Sequence, residues 1–97
     1  MATTITFEAG STTTVTDFTL AGSAGNLVTI NSSIPGTQFT LYKASGQVST
    51  DYLSIQDSNA TGASWYAGTH SVNVSNNTGW IFTAPPSTIN GQFFAFF

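Results

Sequence analysis

The feature that most limits what this chain can fold into is a pattern of strand, small-residue turn and strand that recurs between Gly25 and Trp80. Glycines at Gly25, Gly46 and Gly68 fall at intervals of 21 and 22 residues, and each opens a new segment: Gly25-Asn26-Leu27-Val28, Gly46-Gln47-Val48-Ser49 and Gly68-Thr69-His70-Ser71. Phe18-Thr19-Leu20 returns 21 residues later as Phe39-Thr40-Leu41, which extends the first copy back toward Ile5. A period of roughly 20 to 30 residues built from short strands and turns marks a solenoid, in which each coil completes its apolar face by stacking on the next. The sequence therefore predicts an all-β fold, a short parallel β-helix or solenoid of about three to four coils. A small jelly roll or β-sandwich, which also places turn signals every ~8 to 12 residues, is the alternative.

Along the chain, no segment carries a 3.6-residue apolar period. Thr3 to Leu20 reads as two strands carrying Ile5, Phe7, Val15, Phe18 and Leu20, joined by Glu8-Ala9-Gly10-Ser11 as a turn. Leu27 to Ile30 is the next, stopped by Asn31-Ser32-Ser33 and by Pro35-Gly36, a pair that presets a type II turn. Thr37 to Lys43 alternates again, Ala44-Ser45-Gly46 makes a corner, and Tyr52 to Ile55 is a strand. Asp57 to Gly62 reads as a loop, because Asp, Ser and Asn side chains compete for the backbone. Val72 to Val74 and Trp80 to Phe82 complete the set around a polar turn at Ser75 to Gly79. Residues 1–86 are expected to form the solenoid-like domain, and residues 87–97 a Phe-rich tail that caps the fold or makes an assembly contact.

Charged residues are 5% of the chain and the net charge is −3, with Lys43 the single basic side chain. An average soluble protein carries about 25% charged residues. Nothing here neutralises phosphates, so neither nucleic acid nor an anionic membrane surface is an expected partner. No apolar run reaches the ~20 residues of a membrane-spanning helix. Without cysteine there is no disulfide framework and no thiolate metal site. The opening Met1-Ala2-Thr3-Thr4 shows no secretory signal pattern, and the expected place of assembly is the cytoplasm. The Asn-X-Ser/Thr triplets at Asn31, Asn59, Asn73 and Asn76 follow from a composition rich in those residues.

Acid–base chemistry would have to come from Glu8, Asp17, Asp51, Asp57 and His70. Asp51 and Asp57 flank a strand, as paired carboxylates of polysaccharide-cleaving enzymes can, but a turn residue and a solvated strand edge account for them. His70 has no second ligand at metal spacing, and neither a nucleophile elbow nor a phosphate loop is present. The expectation is a protein that is not an enzyme and holds no cofactor or metal. Trp65, Tyr66 and Trp80 are either core aromatics or a glycan-stacking platform. Phe93, Phe94, Phe96 and Phe97 need cover from this chain or another, since exposure forgoes ~25 cal/mol per Å² of apolar area.

Several stretches resemble a known module: Asn26-Leu27-Val28-Thr29-Ile30, Ser33-Ile34-Pro35-Gly36-Thr37, Leu53 to Gly62 with its Ser-Asn-Ala-Thr-Gly piece, and Asn77-Thr78-Gly79-Trp80. They look like the β-solenoid repeats of phage virion proteins and of bacterial adhesin-like surface proteins. The resemblance implies a right-handed parallel β-helix with a structural or adhesive role and no catalytic residues. Shortness, the absent signal pattern and the Phe-rich tail favour the virion. The expected function is a phage structural protein, a capsid decoration or cement subunit, forming a homo-oligomer, a trimer, on the major capsid protein or another virion protein. Its expected assembly contacts are Ile5, Phe7, Phe93, Phe94, Phe96 and Phe97. The alternative is a carbohydrate-binding or adhesin module of a tail fibre or cell surface that uses Trp65, Tyr66 and Trp80.

Overall fold

The computed structural model describes residues 3–86. Within them the chain forms eight strands and no helix: β1 (Thr3–Phe7), β2 (Thr12–Thr14), β3 (Val28–Ser32), β4 (Phe39–Ser49), β5 (Leu53–Gln56), β6 (Ser58–Tyr66), β7 (Val72–Ser75) and β8 (Trp80–Ile81). The chain alternates between two four-stranded sheets, one ordered β1-β3-β5-β7 and the other β2-β4-β6-β8. Every strand pairs in parallel with its sheet neighbours. The expected all-β class is therefore present, and the pairing departs from the antiparallel ladders of a jelly roll or immunoglobulin-type sandwich.

Register follows from the period-2 placement of apolar side chains, since a slip of one residue would turn each set to the other face. Ile5, Ile30 and Ile55 line up across β1, β3 and β5, and Thr4, Thr29 and Ser54 form the neighbouring column. Ile30 and Ile55 are wholly buried with Phe39, Leu41, Leu53 and Trp65. Each such side chain contributes about 1.5–3 kcal/mol by leaving water. Phe7 of β1 stacks on Phe39 of β4 across the two sheets with ring centroids 4.5 Å apart, and within one sheet Trp65 of β6 meets Trp80 of β8 edge-on at 5.2 Å.

Four expectations change against this frame. The stretch Val15 to Leu20 is not a strand beyond β2; it lies over the core, with Val15 N–H donating to Tyr42 O and Gly22 N–H to Asp51 O. Phe18 packs there against Trp65 and Trp80 at 5.4 and 6.2 Å, so its apolar character serves to cover these two indoles. Asp57 to Gly62 is not a loop. Only Asp57 turns a corner, and Ser58 onward is β6, because the parallel neighbour β4 supplies backbone partners while Ser58 and Ala60 are small enough to face the core. Ala44-Ser45-Gly46 is an irregularity inside the continuous β4, where the register shifts between Lys43 and Gln47 and Gly46 takes φ +92°. The 21-residue recurrence does not match the pairing either. The step is 25 residues between Thr6 and Asn31 of β1 and β3, and 19 between Thr40 and Asn59 of β4 and β6. The Pro35-Gly36 turn is as expected: Thr37 N–H donates to Ile34 O at 3.0 Å and Gly36 has φ +93°.

Candidate functional site

Two polar clusters stand at opposite ends of β5. At the end leading into β6, Asp57 is 2% exposed and holds a left-handed φ of +59°. Its Oδ2 accepts from Gly36 N–H at 3.0 Å, and its Oδ1 accepts from Asn76 Nδ2 at 2.9 Å. Asn76 Nδ2 also donates to Gly36 O at 3.3 Å. Gly36, Asp57 and Asn76 all have positive φ, a conformation in which Gly, Asn and Asp are the least penalised residues. They form one hydrogen-bonded column. Gln38 Nε2 extends it to Asn76 O and Thr78 Oγ1, both at 2.9 Å, while Asn77 accepts from Ser58 N–H at 2.9 Å and donates to Ile55 O at 2.7 Å. Among the described residues no cation pairs with Asp57. Donors from two other segments of the chain therefore satisfy both oxygens of its buried carboxyl group.

At the other end of β5, Asp51 Oδ1 accepts from the backbone N–H groups of Tyr52 and His70 at 3.0 and 2.9 Å, and Oδ2 lies 2.9 Å from His70 Nδ1. The Tyr52 ring stacks on the His70 ring at 4.4 Å and 6°. Desolvation of the Asp51 carboxyl opposes its ionisation, but hydrogen bonds from the His70 side chain and from the His70 and Tyr52 backbone outweigh it and hold its pKa below the usual carboxylate value. His70 is the more open partner, its side chain 54% exposed against 36% for Asp51.

These clusters hold neighbouring segments of the chain together. Asp51 and Asp57 each face their own donors, so they do not converge on a shared substrate position. Both polar side-chain contacts of the His70 ring, with Asp51 Oδ2 and with Thr69 Oγ1 at 3.3 Å, fall on Nδ1. Glu8 sits in the turn before β2, where its carbonyl accepts from Ser11, and Asp17 is exposed on the covering segment. Among the described residues no three His, Cys, Asp or Glu side chains cluster to hold a metal ion. Nor is any helix there long and apolar enough to cross a membrane. A shallow groove of about 260 Å³ runs between Thr14-Val15-Thr16 and Lys43-Ala44-Ser45, with Lys43 Nζ already donating to Ser45 O at 2.7 Å.

The aromatic trio lies mostly inside. Trp65 is wholly buried and Trp80 is 8% exposed, with their indole N–H groups donating to Thr61 O and Ser58 Oγ, both at 2.8 Å. Tyr66 is half-buried. Burial takes both indoles away from the solvent-facing platform of the glycan-binding reading. Ile5 and Phe7 are partly buried against the core on β1, an end strand, and Phe93, Phe94, Phe96 and Phe97 lie outside the described residues.

Sequence reasoning missed both clusters, although their signal is a spacing. Asp51 and His70, Asp57 and Asn76, and Ser58 and Asn77 are each 19 residues apart, the step by which Asn59 follows Thr40 in the adjacent strand. Comparison with protein-family models, with curated proteins and with solved structures gives no match for the chain.

Proposed function

We propose that this protein is a β-solenoid structural subunit, a phage capsid decoration or cement protein, that acts by packing against neighbouring chains and carries out no chemistry. One observation carries this reading: β1, β2, β7 and β8, which end the two sheets, contain no charged residue and no proline. Free-standing β proteins blunt such edges with lysines, prolines or bulges, because an open edge recruits another strand. Here Thr3-Thr4-Ile5-Thr6-Phe7 and Thr12-Thr13-Thr14 offer open backbone groups, and a neighbour seated on them completes the burial of Ile5 and Phe7. The nearly uncharged surface suits close repetitive packing, and many weak contacts on a shell add through avidity. The resemblance to virion solenoid repeats points the same way, with the virion as location, a trimer as the oligomer, and the major capsid protein or another virion protein as partner.

The test places lysines on the exposed edge positions Thr4, Thr12 and Thr14, singly and together, and measures mass in solution and binding to purified shells. The expected result is loss of oligomer and of shell binding with the monomer fold retained. Oligomerisation and binding untouched by all three lysines sink the edge-pairing mechanism, and shells equally heat-resistant with and without the protein sink the cement role.

A further inference from the structure

The two ends of the fold match each other. At one end β1 and β2 are 5 and 3 residues long, and at the other β7 and β8 are 4 and 2. Among the described residues each of these strands is paired on one side only, β1 with β3, β2 with β4, β7 with β5 and β8 with β6. All pairing is parallel, so in each sheet the strands at the two ends run in the same direction. Apolar side chains gather at the second end: Val72 and Val74 of β7 are each 47% exposed and Ile81 of β8 is 39% exposed. Val72 continues the column in which the earlier strands carry Thr4, Thr29 and Ser54. An uncharged edge with uncovered apolar side chains recruits another strand.

We propose that the occupant of the β7–β8 end is the β1–β2 end of a second copy of this chain, stacked head to tail, with β1 of the next copy continuing the sheet of β7 and β2 that of β8. The inference rests on the edge-pairing reading above and names the partner. The contact is one the chain already makes within itself, as β1 on β3, β3 on β5 and β5 on β7, and the longer end strand meets the longer and the shorter the shorter. The corners separate stacking from a two-fold contact between like ends. Each passage from the first sheet to the second carries a left-handed residue, Gly10, Gly36, Asp57 and Asn76 in turn. These corners bond to one another: Gly10 N–H donates to Gln38 O at 2.9 Å, Gly36 N–H to Asp57 Oδ2 at 3.0 Å and Asn76 Nδ2 to Asp57 Oδ1 at 2.9 Å. Head-to-tail stacking sets the Gly10 corner of one copy on the Asn76 corner of the next and extends this series. A two-fold contact reverses the strands and sets each corner beside the start of a strand instead. A stack does not close on itself, so its mass grows with concentration, and the trimer of the edge-pairing reading is three copies in a row.

The test blocks one end at a time in the full chain. Thr13 of β2 lies in the column of the buried Leu41 and Ala60, and Asn73 of β7 in that of the buried Ile30 and Ile55. A lysine at either position puts a charge where a stacked copy would bury it. Light scattering of the unmodified chain is expected to give a mass that rises with concentration in whole-chain steps. Thr13→Lys alone and Asn73→Lys alone are each expected to stay monomeric, because every contact needs one end of each kind. Their equimolar mixture is expected to form heterodimers and nothing larger. If either variant melts early, Thr12→Lys and Val72→Lys, at exposed positions of the same strands, take their places. Dimers of Asn73→Lys by itself overturn the proposal in favour of like-end pairing through β1 and β2, and leave the edge reading standing. Oligomers unchanged in both variants overturn stacking and edge reading together. An unmodified chain that is monomeric at every concentration overturns the proposal as well: loss of shell binding in Thr13→Lys then identifies a different chain as the partner, and shell binding kept by that variant sinks the edge reading. A monomer in which all the amides of Val72–Ser75 are slow to exchange overturns it too, and places the cover within the same molecule.

Discussion

Asp57 and Asn76 are 19 residues apart in the chain, yet Asn76 Nδ2 donates to Asp57 Oδ1 at 2.9 Å, and both residues hold left-handed backbone with φ of +59° and +57°. A left-handed bend recurs at both positions, and the two residues that make it bond to each other. Asp57→Ala leaves Gly36 N–H and the Asn76 amide without their carboxylate and sets a β-carbon with no compensating hydrogen bond at positive φ. The expected cost is about 3 kcal/mol, and about half that for Asp57→Asn, which keeps one acceptor. For a domain of this size each kcal/mol lowers the melting temperature by ~4–8 °C, so thermal melts followed by circular dichroism separate the two variants.

Gly79 and Gly10 share a left-handed φ, +81° and +78°, but not their surroundings. A β-carbon on Gly79 collides with the carbonyl of Ala60, whereas one on Gly10 meets nothing within 4 Å. Gly10→Ala is expected to cost the conformational penalty alone, about 1–2 kcal/mol. Gly79→Ala is expected to cost more than twice that, or to abolish folding, because backbone must move to admit the methyl group. Urea titrations of the two proteins check the difference.

The hydrogen bonds that hold the Asp51 pKa down make stability depend on acidity. The unfolded chain takes up this proton more readily than the folded one, so the contribution is complete above the ordinary value of 3.8 and is lost as pH falls through the lower folded value. Asp51→Asn and His70→Ala are both expected to flatten the decline in urea midpoint over that acid range. Equal slopes in all three proteins refute the assignment.

Trp65 is wholly buried in the core, so Trp65→Ala is expected to cost about 3–5 kcal/mol and unfold much of the population. Ser58→Ala, which strips the partner from Trp80 Nε1, is expected to cost about 1–2 kcal/mol. Intrinsic fluorescence provides the readout: both indoles emit as buried groups and shift to the red on unfolding. A Trp65→Ala protein that stays folded with its stability unchanged removes the indole from the core role.

Much of the fold is legible from alternation and turn chemistry. The strands at Ile5, Leu27, Phe39, Tyr52, Val72 and Trp80 all announce themselves by apolar residues at a spacing of two, and the Pro35-Gly36 turn by its dipeptide. What misleads is local composition judged apart from its neighbours. Ser58-Asn59-Ala60-Thr61-Gly62 is turn-like alone and strand when β4 lies beside it, and Phe18-Thr19-Leu20 is strand-like alone and a covering segment when Trp65 and Trp80 offer a surface. The glycine interval misleads for a related reason. Gly25, Gly46 and Gly68 share left-handed backbone, but one belongs to the loop before β3, one to the irregularity in β4 and one to the segment between β6 and β7. The polar clusters are not legible in the sequence because their members sit on separate segments, and only the register reveals that a separation of 19 means contact.

The absence of charge from the end strands also sets the tempo of any encounter. Long-range steering, which lifts association toward 10⁸–10⁹ M⁻¹s⁻¹ for oppositely charged surfaces, has almost nothing to act on here. Partners then meet at the slower basal rate of roughly 10⁵–10⁶ M⁻¹s⁻¹, nearly indifferent to ionic strength, and the lifetime of the contact decides whether it persists. Whatever pairs with these edges is therefore held or lost by its rate of dissociation.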